Sequence, residues 1–216
     1  MVSTQLITLT DPRSNAAEAF RTLRTNLMFS SVEKPIQTLL VTSTSKADDK
    51  SVALANLAVT FAQAGNKTIL VDSDMRQPMQ HEIWGINNER GLADMMLDDT
   101  LLSRPPLQAT DVDNLMLIPS GQRPPNPADI LSSHRMDEII GVLKARAAYI
   151  LFDAPPVLAA SDAVVLSTKV DGILLVVRAN ETRRDNVSSA RSALEQVHAR
   201  VVGAVLTNAP REQKRY

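Results

Sequence analysis

The amino-acid sequence predicts an α/β fold in which helices cover both faces of a mostly parallel sheet. Two observations indicate this class. Short, apolar, β-prone segments alternate along the chain with longer segments whose apolar residues recur at helical spacing. Hydrophobic residues make up 44% of the 216 residues, which is enough for one substantial core. We therefore expect residues 1–216 to form a single domain.

The elements follow one another in a regular order. The predicted strands are residues 37–43, 67–72, 114–119, 148–153, 172–178 and 201–207. The predicted helices are residues 16–29, 51–63, 134–145, 161–168 and 183–198. Gly65 is expected to cap the second of these helices, and Pro155 and Pro156 stop the fourth strand from continuing into a helix.

Charge and composition exclude several classes of function. A formal net charge of −1 gives no general attraction to nucleic acid or to anionic lipid, so we expect no nucleic-acid partner. The chain has no cysteine, which rules out a disulfide framework and thiolate chemistry. It also has no apolar run of roughly 18 residues, so the chain itself is not expected to span a membrane.

The loop between the first strand and its helix ends like a phosphate-binding loop but lacks glycine. Residues 42–51 read TSTSKADDKS. Such a loop normally uses glycines so that backbone N–H groups can surround phosphates, a lysine for the outer phosphates, and a hydroxyl for magnesium. Lys50 and Ser51 meet the last two needs, whereas Ala47 and Asp49 stand where glycine is usual. The candidate nucleotide-binding residues are Ser45, Lys46, Ala47, Asp48, Asp49, Lys50, Ser51 and Val52.

Three carboxylates follow buried strands of the predicted sheet. Asp72 and Asp74 come at the end of the second strand, and Asp153 closes the fourth. In open parallel sheets the ligand lies beyond the carboxyl ends of the strands. A magnesium nucleotide needs hard oxygen ligands or acceptors for metal-bound water there. These acids are therefore candidate partners of a magnesium nucleotide.

The combination of motifs resembles the cytoplasmic domain of the bacterial tyrosine kinases, whose fold is P-loop NTPase-like. The resemblance runs from residue 14 to residue 209. It rests on the loop at 42–51, ILVDSDMRQP at 69–78, SGQRPPNPADIL at 120–131, FDAPPV at 152–157 and DGILLVVR at 171–178. The resemblance implies an ATP-dependent tyrosine autokinase that regulates capsular or extracellular polysaccharide synthesis or export, with ATP and Mg²⁺ as cofactors.

The same resemblance assigns roles to individual residues. It implies that Lys50 and Ser51 bind phosphates and magnesium. Asp72 and Asp74 would serve magnesium and the activation of the tyrosine hydroxyl, and Asp153 would lie near the metal. The implied catalytic residues are Lys50, Asp72, Asp74 and Asp153, and the implied metal ligands are Ser51, Asp72 and Asp153.

Assembly and partners are also implied by the resemblance. Glu18, Arg21 and Arg24 match a helix that docks on a neighbouring subunit, so residues 1–35 are expected to drive a homo-oligomeric ring. The expected partner is a transmembrane polysaccharide co-polymerase adaptor, which would hold a cytoplasmic protein at the inner face of the plasma membrane. The tail 210–216 is polar and expected to be flexible, with Tyr216 as the candidate phosphoacceptor.

Two alternatives stay open at this stage. A carboxylate about 5 Å from a phosphate, at an effective dielectric constant near ~20, costs about 3 kcal/mol per unit charge. The pair Asp48 and Asp49 therefore favours a pseudokinase or nucleotide-sensing scaffold that transfers little phosphate. Intact Lys50, Asp72, Asp74 and Asp153 favour an active kinase. A ParA/MinD-like ATPase is more distant, because such proteins carry a second lysine five positions before the loop lysine, where this chain has Ser45.

Overall fold

The computed structural model describes residues 6–30 and 34–209. Its strands are β1 (Thr38–Ser43), β2 (Thr68–Asp72), β3 (Gln108–Ala109), β4 (Leu115–Ile118), β5 (Tyr149–Asp153), β6 (Gly172–Arg178) and β7 (Val201–Thr207). Its helices are α1 (Ile7–Thr10), α2 (Asn15–Phe29), α3 (Lys50–Gln63), α4 (Gln80–Trp84), α5 (Leu92–Met95), α6 (Thr100–Ser103), α7 (Pro127–Ser132), α8 (His134–Lys144), α9 (Asp162–Ser167) and α10 (Arg184–Gln196).

The strands form one sheet in the order β3-β4-β2-β5-β1-β6-β7, and all pairs are parallel except β3 with β4. This confirms the predicted fold class. The six predicted strands and five predicted helices are present with ends shifted by at most two residues. The short strand β3 and the one- or two-turn helices α1, α4, α5, α6 and α7 were not predicted, because such brief elements show too little periodicity.

Helices cover both faces of the sheet because successive strand residues point to opposite sides. Leu40, Ile150 and Phe152 join a core beneath the helices from α5 to α10. Leu39 and Leu151, on the other face, pack with α2, α3 and α4. The interior strands are therefore apolar on both sides, as parallel strands between two helical layers require.

Strand register decides which polar residues meet at the carboxyl edge of the sheet. β1 lies between β5 and β6, and β5 also pairs with β2. Asp72 stands directly opposite Asp153 in the β2–β5 register, while Val41 of β1 is opposite Asp153 on the other side. The loop that leaves β1 therefore begins beside the acids that end β2 and β5.

Candidate nucleotide-binding site

The loop between β1 and α3 is a tight turn despite its lack of glycine. Lys46–Asp48 form one turn of 3₁₀ helix, and Asp49 then takes a left-handed conformation with φ 55° and ψ 29°. Glycine is the usual residue there, but Asp and Asn tolerate this region better than other side chains. Lys46 and Ala47 are exposed at the tip of the turn.

Asp48 anchors the start of this loop. Its carboxylate is fully buried and accepts hydrogen bonds from the backbone N–H of Thr44 (3.0 Å) and Ser45 (2.8 Å). It also accepts one from the Thr182 hydroxyl at 2.5 Å. Burial alone would raise the pKa of Asp48, but these bonds outweigh burial and hold the pKa below its usual range. Asp48 is therefore an internal anion that ties the loop to the segment after β6.

The amides at the start of α3 remain open. Across residues 6–30 and 34–209, no acceptor is found for the backbone N–H groups of Lys50, Ser51 and Val52. The first N–H groups of a helix point along its axis, and the helix dipole makes them attractive to anions. A nucleotide phosphate fits this arrangement.

Lys50 lies inside the site rather than in solvent. Its Nζ is 2.8 Å from Asp153 Oδ1 and 3.0 Å from Asp74 Oδ2, and it also donates to Ser51 Oγ at 3.2 Å. Burial would lower the pKa of Lys50, but the charges of Asp153 and Asp74 outweigh it and raise the pKa above its ordinary value. The ammonium group is therefore charged and held by two carboxylates at neutral pH.

Asp72 is fully buried and bonded to backbone N–H groups. One of its oxygens accepts the backbone N–H groups of Met79 (3.0 Å) and Gln80 (2.9 Å), and the other accepts that of Asp74 at 3.2 Å. Burial, and then the nearby charge of Asp153, raise its pKa well above the usual range. Asp72 thus shapes the turn after β2, while Asp74 and Asp153 are the acids that contact Lys50.

Three functional candidates were missed by the sequence reasoning: Gln80, Thr182 and Arg178. Gln80 is fully buried and donates from Nε2 to Asp153 Oδ2 at 2.7 Å. Arg178, at the end of β6, donates from Nη1 to Asp49 Oδ2 at 2.8 Å. A basic residue that closes a buried strand was the available signal for Arg178. Gln80 and Thr182 carry no comparable signal in sequence.

A magnesium nucleotide fits the residues present. In the described ranges, no group of three or more His, Cys, Asp and Glu side chains is arranged to hold a metal ion by itself. Magnesium in nucleotide sites usually keeps several waters and binds one or two carboxylates together with substrate phosphates, so a protein cage is not required. The Ser51 hydroxyl and the Asp153 carboxylate are the groups that would hold it. Asp72, the other acid predicted as a ligand, is fully buried, and both of its oxygens already accept backbone N–H groups.

The remaining predicted residues lie elsewhere. Glu18 and Arg21 pair at 2.6 Å on the exposed side of α2. Arg24 turns inward instead, and its Nη1 donates to the Thr60 carbonyl oxygen of α3 at 2.9 Å. The three residues therefore do not form one exposed stripe. Tyr216 and the tail 210–216 lie outside the described residues.

The fold and the site define a P-loop NTPase-like protein, with a tight loop between β1 and α3 and acids at the ends of β2 and β5. A solved structure of the septum site-determining protein MinD with Mg-ADP, from Pyrococcus horikoshii, has the same fold at a TM-score of 0.62 and 20% identity, over 79% of this chain and 69% of that one. At this identity the likeness concerns the fold alone. No protein-family model matches the chain.

Relatives of higher identity define the family. The chain is 38% identical to the putative tyrosine-protein kinase CapB of Staphylococcus aureus, over 92% of this chain and 87% of that protein. It is 37% identical to the tyrosine-protein kinase YwqD of Bacillus subtilis, over 93% and 84% of the two chains. The tyrosine-protein kinase wzc of Salmonella typhi is 34% identical over 94% of this chain but only 28% of its own length.

Structure comparison agrees with these relatives. The kinase domain of the Escherichia coli tyrosine kinase ETK superimposes with a TM-score of 0.91 and 29% identity, covering 100% of this chain and 85% of that one. The chain belongs to the family of bacterial tyrosine-protein kinases. The resemblance inferred from the motifs is thereby confirmed.

Proposed function

We propose that this protein is an ATP-dependent tyrosine kinase that binds MgATP at residues 45–52 and phosphorylates itself. The observation that carries the proposal is the set of open backbone N–H groups at residues 50–52, at the same sheet edge as the side chain of Lys50. Membership of the tyrosine-kinase family supports the reaction type. When bound, MgATP supplies the γ-phosphoryl group.

Lys50 changes partners in this proposal. In the present arrangement its charge is balanced by Asp74 and Asp153. A triphosphate at the open amides brings a competing negative charge, and Lys50 then moves from the carboxylates to the phosphates. This exchange frees Asp74 and Asp153 for magnesium, its bound water and the incoming hydroxyl.

Asp74 is the proposed general base. Its carboxylate is slightly accessible, whereas Asp72 is fully buried and bonded to its own backbone. The tyrosine hydroxyl proton passes to Asp74, the phenolate oxygen bonds to the γ-phosphorus, and the bond to the ADP oxygen breaks. Asp72 then acts by fixing the turn that carries Asp74.

Phosphotyrosine detection tests this proposal directly. The purified protein is incubated with MgATP, beside Lys50→Met and Asp49→Gly variants, and phosphotyrosine is measured by mass spectrometry. Labelling of the unaltered protein that is lost in Lys50→Met is the expected result. If label appears only in Asp49→Gly, or in none of the three proteins, the active-kinase proposal is wrong.

A nucleotide-sensing pseudokinase is the second candidate. It is favoured by the enclosure of Lys50 between two buried carboxylates and by the acid at position 49. MgATP binding by the unaltered protein without phosphotyrosine would support this function. Calorimetric titration with MgATP, run on the sample used for the phosphotyrosine assay, distinguishes the two candidates.

We further propose that the protein acts as a homo-oligomer and presents Tyr216 to a neighbouring subunit. Glu18 and Arg21 support this because they lie on the exposed side of α2, while the bond between Arg24 and Thr60 gives Arg24 a role within the subunit. Arg21→Ala should lower the assembly state in sedimentation velocity, and Arg24→Ala should chiefly lower stability. An unchanged oligomer in Arg21→Ala contradicts the proposed contact.

A membrane adaptor of polysaccharide synthesis or export is the proposed partner. The match covers 28% of the wzc protein, which supports a division of roles between a kinase unit and the rest of that protein. In the described part of the chain, no helix is long and apolar enough to cross a membrane. Membrane recovery after cell fractionation, with and without a co-expressed polysaccharide co-polymerase, tests the association.

A further inference from the structure

The acid at position 49 ought to close the phosphate site in two ways. As the residue before α3, an aspartate normally accepts hydrogen bonds from the first helical N–H groups, which are the groups a phosphate would use. Its charge would also repel phosphate. Yet Asp49 makes no such capping bond, and its carboxylate is half exposed on the side of β6.

Contacts with Arg178 explain why the Asp49 carboxylate points away from the first N–H groups of α3. Its Nη1 donates to Asp49 Oδ2 at 2.8 Å and to the Ala47 carbonyl oxygen at 3.0 Å. Its Nε lies 3.0 Å from Glu181 Oε1, within ion-pair distance. One arginine thus contacts both the side chain of Asp49 and the backbone of the loop.

The backbone of Asp49 depends on the same contacts. A residue that caps a helix through its side chain is usually extended, whereas Asp49 is left-handed with φ 55°. Left-handed backbone is unfavourable for a residue with a side chain, and it persists only where surrounding contacts hold it. Without Arg178, Asp49 is free to extend and to cap α3 with its own carboxylate.

We propose that Arg178 is a positioning residue for the nucleotide site: by binding Asp49 and Ala47 it cancels the acid's charge and keeps the amides of α3 open to a nucleoside di- or triphosphate. The inference rests on the proposed nucleotide-binding function. It explains how a loop without glycine can still accept phosphate, because an ion pair replaces the missing conformational freedom.

A double-mutant cycle tests the pairing, with Mg-ADP as the probe and its Kd measured by titration calorimetry. The four proteins are the unaltered chain, Arg178→Gln, Asp49→Gly and the double variant. The pair is partly exposed and screened, so we expect Arg178→Gln to weaken Mg-ADP about tenfold. In the Asp49→Gly background the same change should alter Kd less than about twofold, because no acid remains to be held.

Three controls distinguish a positioning role of Arg178 from an effect on folding and from a general effect of charge. Arg178→Lys keeps the charge and should recover most of the affinity. Asp185→Asn removes an exposed acid from the following helix and should leave Kd unchanged. The melting temperature of ligand-free Arg178→Gln should stay near that of the unaltered protein, since a self-capped α3 replaces the lost ion pair.

Each remaining outcome overturns a defined claim. Equal weakening by Arg178→Gln in both backgrounds, or no weakening in either, refutes the positioning role while leaving nucleotide binding intact. If Asp49→Gly binds Mg-ADP and the unaltered protein does not, the positioning role is also refuted, because the ion pair then fails to keep the loop open. If neither the unaltered protein nor Asp49→Gly binds Mg-ADP, the proposed nucleotide function fails, and the inference fails with it.

Discussion

Removal of the Lys50 ammonium group should lower the free energy of unfolding, independently of any effect on activity. Lys50 is the cation that contacts Asp74 and Asp153, and all three side chains are at least nine-tenths buried. Breaking a buried ion pair by removing one partner typically costs about 3–5 kcal/mol, because the other charge stays buried and unpaired. Gln80 and the backbone N–H of Gln77 still bond the two acids, so we expect the lower end, about 3 kcal/mol.

Urea denaturation of Lys50→Met at pH 7 measures this loss, since methionine keeps an unbranched side chain of similar length. The deficit should shrink as the pH falls, because burial and the charge of Asp153 already raise the pKa of Asp72 well above its usual range, and its protonation relieves the repulsion between the acids. The raised pKa of Lys50 means that its contribution is fully present below its ordinary value of 10.5 and is lost only as the pH rises above that value.

A second substitution makes the reasoning refutable. Lys50→Met combined with Asp153→Asn removes one of the two uncompensated charges and should recover roughly half of the lost stability. If the free energy of unfolding of Lys50→Met is within about 0.5 kcal/mol of that of the unaltered protein, the buried charges do not interact as strongly as the distances imply. A deficit that does not change with pH would contradict the same reasoning.

Three further changes test other parts of the molecule. Asp171→Ala removes a carboxylate that accepts from Gln37 N, Thr38 N and Thr38 Oγ1, and should lower the free energy of unfolding by about 2 kcal/mol. Burial opposes the shift, but these bonds lower the pKa of Asp171, so its contribution is present above pH 3.8 and lost as the pH falls; urea denaturation at pH 7 and pH 3 checks this. Gln80→Leu should leave Asp153 without its amide donor and reduce phosphotyrosine formation at least tenfold, while an unchanged rate would exclude a role for this bond. Asp48→Ala removes the acceptor of the backbone N–H groups of Thr44 and Ser45, so the loop should become less ordered and Mg-ADP affinity should fall about tenfold. An unchanged Kd would show that the loop keeps its shape without Asp48.

The alternation of strand-like and helix-like patterns in the sequence predicted most of the fold. Interior strands such as β1 and β5 are apolar on both faces, so their short apolar runs identified them, and the long helices α3 and α10 showed clear spacing. The elements that escaped prediction have at most six residues. Over so few residues, helical and extended patterns look alike.

The candidate site, too, was predictable from sequence only in part. Lys50, Asp72, Asp74 and Asp153 could be named from sequence because strand ends and a loop lysine are local signals, and the carboxyl ends of parallel strands share one edge. The separate roles of these residues could not be predicted, because the different surroundings of Asp72 and Asp74 depend on which backbone N–H groups donate to each carboxylate. The oligomerisation residues show the same limit, since helical spacing alone does not tell that Arg24 reaches Thr60.

By itself, the order of the amino acids determined the α/β class, the position of the loop between the first strand and its helix, and the family. Only the tertiary structure decided that an acid in the loop leaves the helix amides open. Asp49 and Arg178 are 129 positions apart in sequence. The pairing of β1 with β6 brings them together, because parallel neighbours in a sheet end at the same edge. Hydrogen bonding and charge compensation act over a few ångströms of space, and distance along the chain does not reveal them.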